Sequence, residues 1–134
     1  MANQLYSKAK EDFLSGALDL TSVAIKAVLV DTDDYTFSAA HEDLADIPAG
    51  ARVATSGNLA TKTVTGGVFD ADDLTFSNVT GDQSEALVIY YDSGVEATSR
   101  LIAYIDTATG LPITPNGGDI DLTFDSGANK IFAL

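Results

Sequence analysis

The most informative pattern along the chain is an apolar stretch without polar alternation, EALVIYYDSGVEATSRLIAYID over Glu85–Asp106. It predicts two strands, Ala86–Tyr91 and Ala97–Ile105, joined through Asp92-Ser93-Gly94, whose aspartate and glycine suit a tight turn. Because apolar residues occupy both faces of each strand, the hairpin must be covered on both sides by a second sheet, a helix or a partner subunit. The pattern therefore predicts the buried centre of a β-protein.

An amphipathic segment lies at the start of the chain. Residues 3–15, Asn3–Ser15, predict a short helix that ends at Gly16, a residue suited to the left-handed backbone of a helix C-terminus. Such a short helix is marginal alone, so its apolar side is expected to dock on a sheet or on a neighbouring subunit. The apolar residues at helical spacing are Leu5, Ala9 and Phe13, with Tyr6 and Leu14 beside them.

Short runs rich in Val, Ile and Thr, bounded by turn residues, predict further strands. Gly66-Gly67 predicts a tight turn between two of them, and residues 106–119 (Asp106–Asp119) predict a long surface loop or a crossover between sheets. The last two strands are expected to form a closing hairpin, with the apolar end of the chain held in a sheet or an interface. These further strands are Val23–Val30, Ala51–Ala54, Leu59–Thr65, Leu74–Phe76, Ile120–Phe124 and Lys130–Leu134.

Length and composition bound the fold class. A chain of 134 residues is the size of one domain. Its eleven glycines and three prolines mark many turns, which together with the many Thr, Val and Ile residues favours short strands. We therefore expect a single domain over residues 1–134 that is all-β (mainly β), an antiparallel β-sandwich or partly closed barrel of roughly seven to nine short strands with one short N-terminal α-helix.

Charge and cysteine content narrow the classes of partner. Twenty acidic against seven basic residues give a formal net charge of −13, which disfavours binding to nucleic acid or to an anionic membrane surface. We interpret the excess of acidic residues as a source of solubility. Cysteine is absent, so disulfides and thiolate chemistry are excluded. No signal-peptide core and no apolar run of roughly 18 residues is found, so a chain that is made and stays in a cytoplasm is expected.

Two acidic triplets are the best metal candidates, because hard oxygen ligands suit Ca²⁺. They lie in similar local sequences, DTDDYTFS from Asp31 and DADDLTFS from Asp70. Neither has the glycine and the distal glutamate of an EF-hand loop, so capping of a turn is the favoured interpretation and no metal ligand is assigned. Calcium binding stays open for Asp31, Asp33 and Asp34, and for Asp70, Asp72 and Asp73.

Candidates for catalysis are few. His41 is the single histidine, and one histidine cannot build a zinc site without other strong ligands. Ser38 and Asp43 lie near it in sequence, but a catalytic triad depends on geometry that sequence proximity does not supply. An exposed loop histidine is the favoured interpretation. No catalytic residue is assigned, and we expect a protein that is not an enzyme.

Aromatic residues and paired glycines have ordinary explanations. Tyr90, Tyr91 and Tyr104 can present a platform for a sugar or a peptide, but packing in a core or a subunit interface is favoured. Gly66-Gly67 and Gly117-Gly118 lack the strand–glycine–helix arrangement of a phosphate loop and are interpreted as turns. No cofactor is expected.

Almost the whole chain resembles a family of small structural proteins from the virion gene modules of tailed bacteriophages and prophages. The similarity covers ALVIYYDSGVEATSRLIAYIDTATGLPITPNGGDIDLTFDSGANKIFAL, Ala86–Leu134, and near the start LYSKAKEDFLSGALDLTSVAIKAVLVDTDDYTF with DIPAGARVATSG after it. It depends on overall similarity, so it implies no catalytic residues. It implies a virion component made in the host bacterial cytoplasm.

The leading hypothesis from this resemblance is a capsid decoration, or cement, protein that binds the outer surface of the head and stabilises it. Its expected partners are itself, as a homotrimer, and the phage major capsid protein or other virion proteins. The central hairpin, the N-terminal helix and the apolar C-terminal segment are the expected contact regions. A tail-tube, tail-tip or head–tail joining protein is one alternative. Another is a carbohydrate or host-surface binding module that uses exposed tyrosines and residues 106–119.

Overall fold

A computed structural model of the chain describes residues 4–124 and 130–133. Within them the fold is mainly β, with ten strands in antiparallel sheets and a single α-helix. In chain order the elements are β1 (Gln4–Leu5), α1 (Ser7–Ser15), β2 (Ile25–Val30), β3 (Arg52–Thr55), β4 (Thr63–Thr65), β5 (Val68–Asp70), β6 (Leu74–Phe76), β7 (Ala86–Tyr91), β8 (Leu101–Ile105), β9 (Ile120–Leu122) and β10 (Phe132–Ala133).

The largest sheet has five strands in the order β1-β8-β7-β2-β3, so the predicted hairpin supplies its middle. Ile89 of β7 lies between Ala27 of β2 and Ala103 of β8 and is fully buried. Every residue of β8, and every residue of β7 except Tyr91, is buried. The prediction of a hairpin covered on both faces is therefore confirmed, and the cover comes from this chain itself. The return strand begins at Leu101, because Glu96–Thr98 forms a 3₁₀ turn.

The helix is shorter than predicted at its start. Within the described residues it begins at Ser7, because Gln4 and Leu5 pair with β8 as an edge strand, while Asn3 lies outside that part of the chain. At its end the prediction is confirmed, since Gly16 has φ = 77° and its N–H reaches back to the carbonyl oxygen of Phe13. Ala9 is the buried residue of the helix, and Leu14 faces solvent.

A second sheet has three strands in the order β10-β5-β4, and β6 pairs with β9 in a third. The turn at Gly66-Gly67 joins β4 and β5 as predicted, with φ = 61° and 78° at the two glycines. The strand predicted over Leu59–Thr65 is limited to Thr63–Thr65, because Leu59 instead donates its N–H to the Ile25 carbonyl oxygen and packs in the core.

The predicted closing hairpin is wrong. β9 pairs with β6, so that Thr75 lies opposite Asp121, and β10 pairs with β5, so that Phe132 lies opposite Phe69. The two segments are drawn to different sheets because Phe132 gains a second aromatic neighbour, Phe13 of the helix, with ring centroids 6.0 Å apart. Residues 125–129 and Leu134, which the prediction included, lie outside the described residues. Ile131 is buried, as expected for the apolar end of the chain.

The three sheets share one contiguous cluster of buried apolar side chains, and the arrangement fits a sandwich without requiring a closed barrel. The long connection 106–119 is fastened by isolated bridges between Thr109 and Thr123 and between Ile113 and Ser84. The remaining strands shift slightly from their predictions, since β2 begins at Ile25 and β3 spans Arg52–Thr55. The predicted fold class is confirmed, although the described residues form ten strands where roughly seven to nine were predicted, because short pairs such as Gln4–Leu5 and Phe132–Ala133 each form an edge strand.

Candidate functional site

Three carboxylates converge where β2 ends and β7 begins. Carboxylate oxygens of Asp31, Asp34 and Asp82 lie within 4.8 Å of one another, the first buried and the other two exposed. Glu85 stands beside them and accepts hydrogen bonds from the N–H and the hydroxyl of Thr32, at 2.9 and 3.1 Å. No ion pair between described residues involves any of these four acids. We call Asp31, Asp34, Asp82 and Glu85 the acidic end.

Turn capping explains the local structure of the first acidic triplet. The Asp31 carboxylate accepts the Asp33 N–H at 2.9 Å, and its carbonyl oxygen accepts the N–H groups of Asp34 and Tyr35. Asp33 does not join the cluster; Asp82 takes that place from a distant loop, which no spacing in the sequence signals. Three carboxylates can hold a hard divalent cation, and they equally concentrate negative potential at the surface.

The second triplet does not gather its carboxylates around one point. Asp72 accepts the Thr61 hydroxyl at 2.8 Å, whereas Asp73 accepts the Phe124 N–H at 3.0 Å. Asp70 lies in β5, opposite Thr63 of β4. Asp70, Asp72, Asp73 and Lys130 line a shallow depression of about 270 Å³. These aspartates fasten neighbouring segments to one another.

The opposite end of the large sheet carries ion pairs. The Arg100 guanidinium lies 2.7 Å from Asp12 of the helix and 3.1 Å from Asp43. Lys26 of β2 pairs with Asp92 at 2.7 Å. The hydrogen bond from Lys26 lowers the pKa of Asp92 and, reciprocally, raises the pKa of Lys26. We call Lys26, Asp92, Arg100, Asp12 and Asp43 the ion-paired end.

Asp43 behaves differently from Asp92, although both face a cation. Burial raises the pKa of Asp43, and the attraction of Arg100 offsets this only in part because the neighbouring carboxylates of Glu42, Asp46 and Asp12 repel the charged form of Asp43. A second arginine, Arg52, binds Glu96 at 2.6 Å and the carbonyl oxygen of Ile47. The arginines join segments that are distant in sequence, a role that the sequence analysis did not assign.

His41 is not the exposed residue that the sequence analysis expected. It is half-buried, and its Nδ1 lies 2.8 Å from the Tyr35 hydroxyl, which in turn lies 2.9 Å from the Tyr6 hydroxyl. Burial raises the pKa of both tyrosines, and the hydrogen bond to Tyr35 raises that of Tyr6 further. The hydrogen-bonded series Tyr6–Tyr35–His41 links the start of the chain to the loop before a 3₁₀ turn at Leu44–Asp46.

The residues near His41 in sequence have separate partners. Ser38 accepts the Ala40 N–H through its hydroxyl at 3.3 Å, and the Asp43 carboxylate faces Arg100. His41 hydrogen-bonds to Tyr35. The three side chains are therefore committed to different contacts, and the structure does not assemble them into a triad.

The tyrosines of the central hairpin do not form an exposed platform. Tyr90 and Tyr104 are buried, at 4% and 5% exposure, and only Tyr91 is half-buried. Packing, the favoured interpretation, is confirmed for the first two. Gly117 turns the chain with φ = 87°, and its N–H donates to the Val79 carbonyl oxygen, so it is a turn residue as interpreted.

An apolar patch lies where the helix meets the C-terminal strand. Leu14 is 88% exposed near the end of α1, and the preceding residue, Phe13, packs its half-buried ring against the half-buried ring of Phe132. Phe132 also contacts Phe69, with ring centroids 5.4 Å apart. We call Phe13, Leu14 and Phe132 the apolar patch. Two of the three expected contact regions thus meet at one place, whereas the third, the central hairpin, is internal.

Comparison with known proteins places the chain in no family. A scan against protein-family models finds none that matches, and a search of the curated proteins finds no match either. Among the described residues, no helix has the length and apolar character needed to cross a membrane.

Proposed function

We propose that this chain is a non-enzymatic virion structural protein of a tailed bacteriophage, and specifically a capsid decoration (cement) protein that binds the outer surface of the head and stabilises it. The resemblance of Ala86–Leu134 and of the N-terminal segment to small virion proteins supports the class. The proposed partners are the major capsid protein and further copies of this chain.

The apolar patch is the observation that carries the proposal. Exposure of 88% for Leu14 costs hydrophobic free energy in the isolated chain, because water contacts apolar surface that a partner would cover. Phe13, the preceding residue of the helix, packs against Phe132 of β10, and Phe132 also contacts Phe69 of β5, so that the helix and the second sheet together hold the two half-buried rings. A partly aromatic patch with an exposed leucine next to it in the sequence is suited to contact with another protein.

The distribution of charge supports the same function. A net charge of −13 keeps the free protein soluble at high concentration, as a component made in many copies requires. It also suits a position outside the shell, away from packaged DNA. The contact itself is weak per subunit, and binding of several linked copies to one lattice multiplies its effect.

The alternative of a carbohydrate-binding module has lost its main support. That hypothesis used exposed tyrosines, and Tyr90 and Tyr104 are buried in the single chain. A tail-tube, tail-tip or head–tail joining protein uses the same kind of apolar patch. The location of the protein on the particle is the observation that separates a head role from a tail role.

The test uses empty capsids of the same phage, prepared without this protein. We expect the wild-type chain to bind them and to raise their resistance to heat, and Leu14→Asp to lower the affinity at least tenfold by placing a charge in the apolar patch. The matched control is Val95→Asp, which adds the same charge at another exposed apolar residue (58%), in the connection between β7 and β8.

Both variants replace exposed side chains, so circular dichroism and thermal melting should be unchanged in each. Equal capsid binding by Leu14→Asp and Val95→Asp would refute the role of the apolar patch. Absence of wild-type binding to capsids, with labelled protein found on tails by electron microscopy, would refute the decoration function in favour of a tail component.

A further inference from the structure

Strand β4 leaves one side of its backbone unpaired within the described residues. It is the outer strand of the three-stranded sheet, and all three of its residues, Thr63–Thr65, are exposed. No main-chain hydrogen bond between described residues, other than those to β5, involves this strand. An unpaired edge of this kind is a template for another strand.

The two-residue turn fixes which backbone groups point outward. Gly66-Gly67 joins Thr65 directly to Val68, so this flanking pair is the hydrogen-bonded one in a hairpin of this type. The next pair, Val64 with Phe69, is then a non-bonded pair, and the N–H and C=O of Val64 face away from β5. Val64 is also 54% exposed, so its side chain leaves room for a neighbour.

Proteins commonly protect such an edge with a lysine that projects past it. The lysine available here is Lys62, which immediately precedes the strand. Its ammonium group is turned back and donates to the Val23 carbonyl oxygen, in the segment before β2. Lys62 therefore does not extend past the edge of β4. A second lysine, Lys130, lines a depression together with Thr63 and Thr65.

Charge also singles out this surface. In a chain with twenty acidic residues, the segment from Ile47 to Phe69 contains none, and it includes Arg52 and Lys62. Strand β4 and its turn therefore carry no carboxylate, and the acids beside them are Asp70, one strand further in and opposite Thr63, and Asp72, which accepts the Thr61 hydroxyl. Two copies that meet edge to edge through β4 bring threonine, valine and glycine together at the contact, which limits the repulsion between like-charged copies.

We propose that β4 pairs antiparallel with β4 of a second copy of this chain, so that the N–H and C=O of Val64 exchange hydrogen bonds across a two-fold axis and the two three-stranded sheets become one. The contact is self-complementary, as two-fold contacts must be. It deepens the self-association included in the proposed function, and it favours a dimer over the homotrimer expected from the resemblance.

The test is the solution mass by light scattering coupled to size exclusion, over a range of concentrations. We expect the mass of the wild-type chain to reach twice 13.9 kDa as the protein concentration rises. In high salt the dimer should form at a lower protein concentration, because salt screens the repulsion between copies. Val64→Pro removes the outward N–H without removing a bond to β5, so it should remain monomeric. Val64→Asp should also remain monomeric, and Val95→Asp should dimerise as the wild type does.

Two variants guard against a folding artefact, since Val64→Asp leaves the backbone of the hairpin unchanged and Val64→Pro leaves the charge unchanged. A wild-type monomer at the highest concentration, a trimer, or a dimer that persists in both Val64 variants would each overturn the proposal. The capsid test is separate, because Leu14→Asp should still dimerise and Val64→Pro should still bind capsids. Failure of one proposal therefore leaves the other standing.

Discussion

The two ends of the large sheet differ in how their acidic side chains are placed: at one end they pair with cations, and at the other they face one another. At the ion-paired end, Arg100 links β8 to the helix through Asp12 and to the start of the 3₁₀ turn Leu44–Asp46 through Asp43. At the acidic end, Asp31, Asp34 and Asp82 face one another with no cation among the described residues paired to them. Ion pairs therefore stabilise the fold at one end, whereas repulsion between carboxylates slightly destabilises it at the other.

The largest effect is expected from Arg100→Ala. The substitution leaves Asp12 and Asp43 partly buried and without their cation, and it removes the ion pair that links the helix to the start of β8. We expect a loss of about 2 kcal/mol in the free energy of unfolding, below the cost of breaking a fully buried pair because Arg100 is 22% exposed. Urea unfolding measures it. A loss below about 0.5 kcal/mol would mean that the ion-paired end contributes no more than an ordinary surface pair.

A smaller effect, dependent on pH, is expected from Asp92→Asn. The pKa of Asp92 is lowered in the folded chain, so its ion pair stabilises the fold above the unfolded-state pKa, and this stabilisation is lost as the pH falls through the folded-state pKa. At neutral pH we expect the variant to be about 1 kcal/mol less stable. In acid below the folded-state pKa the two proteins should converge. Parallel unfolding curves at pH 7 and in strong acid, with an unchanged gap, would contradict this explanation.

The smallest effect, and the only one of opposite sign, is expected from Asp82→Asn. Removing one of three neighbouring carboxylates relieves repulsion, so we expect stability to rise by about 0.5 kcal/mol, more at low salt than at high salt. The measurement is thermal unfolding with EDTA and with millimolar Ca²⁺. If the variant is less stable than the wild type in Ca²⁺ but not in EDTA, the acidic end is a cation site, not a cluster of turn-capping residues.

Several parts of the fold follow from local sequence. The apolar residues on both faces of Ala86–Tyr91 required a central strand, and the strand is central. Gly16 and Gly66-Gly67 marked a helix end and a turn because only glycine adopts their positive φ at little cost. These features depend on neighbours in sequence, so a sequence pattern is sufficient to predict them.

Pairings over long distances could not be predicted in the same way. The sequence around Phe132 does not indicate which strand β10 pairs with. Its pairing with β5 brings Phe132 into contact with Phe69 and Phe13, which lie far away in the sequence. Asp82 joins Asp31 and Asp34 only after β7 pairs with β2. The bond between His41 and Tyr35 likewise depends on how two loops fold, so spacing alone suggested an exposed histidine.

The pairing of β2 with β7 has a consequence for how the chain folds. Residues from Ile25 to Val30 meet residues from Ala86 to Tyr91, so the middle of the large sheet closes a loop that contains β3, β4, β5 and β6. The entropic cost of closing so long a loop is incurred before the contacts form. Folding times for such topologies are therefore about milliseconds to seconds. The slowest step thus builds the strands whose amides, once buried, should exchange with solvent last.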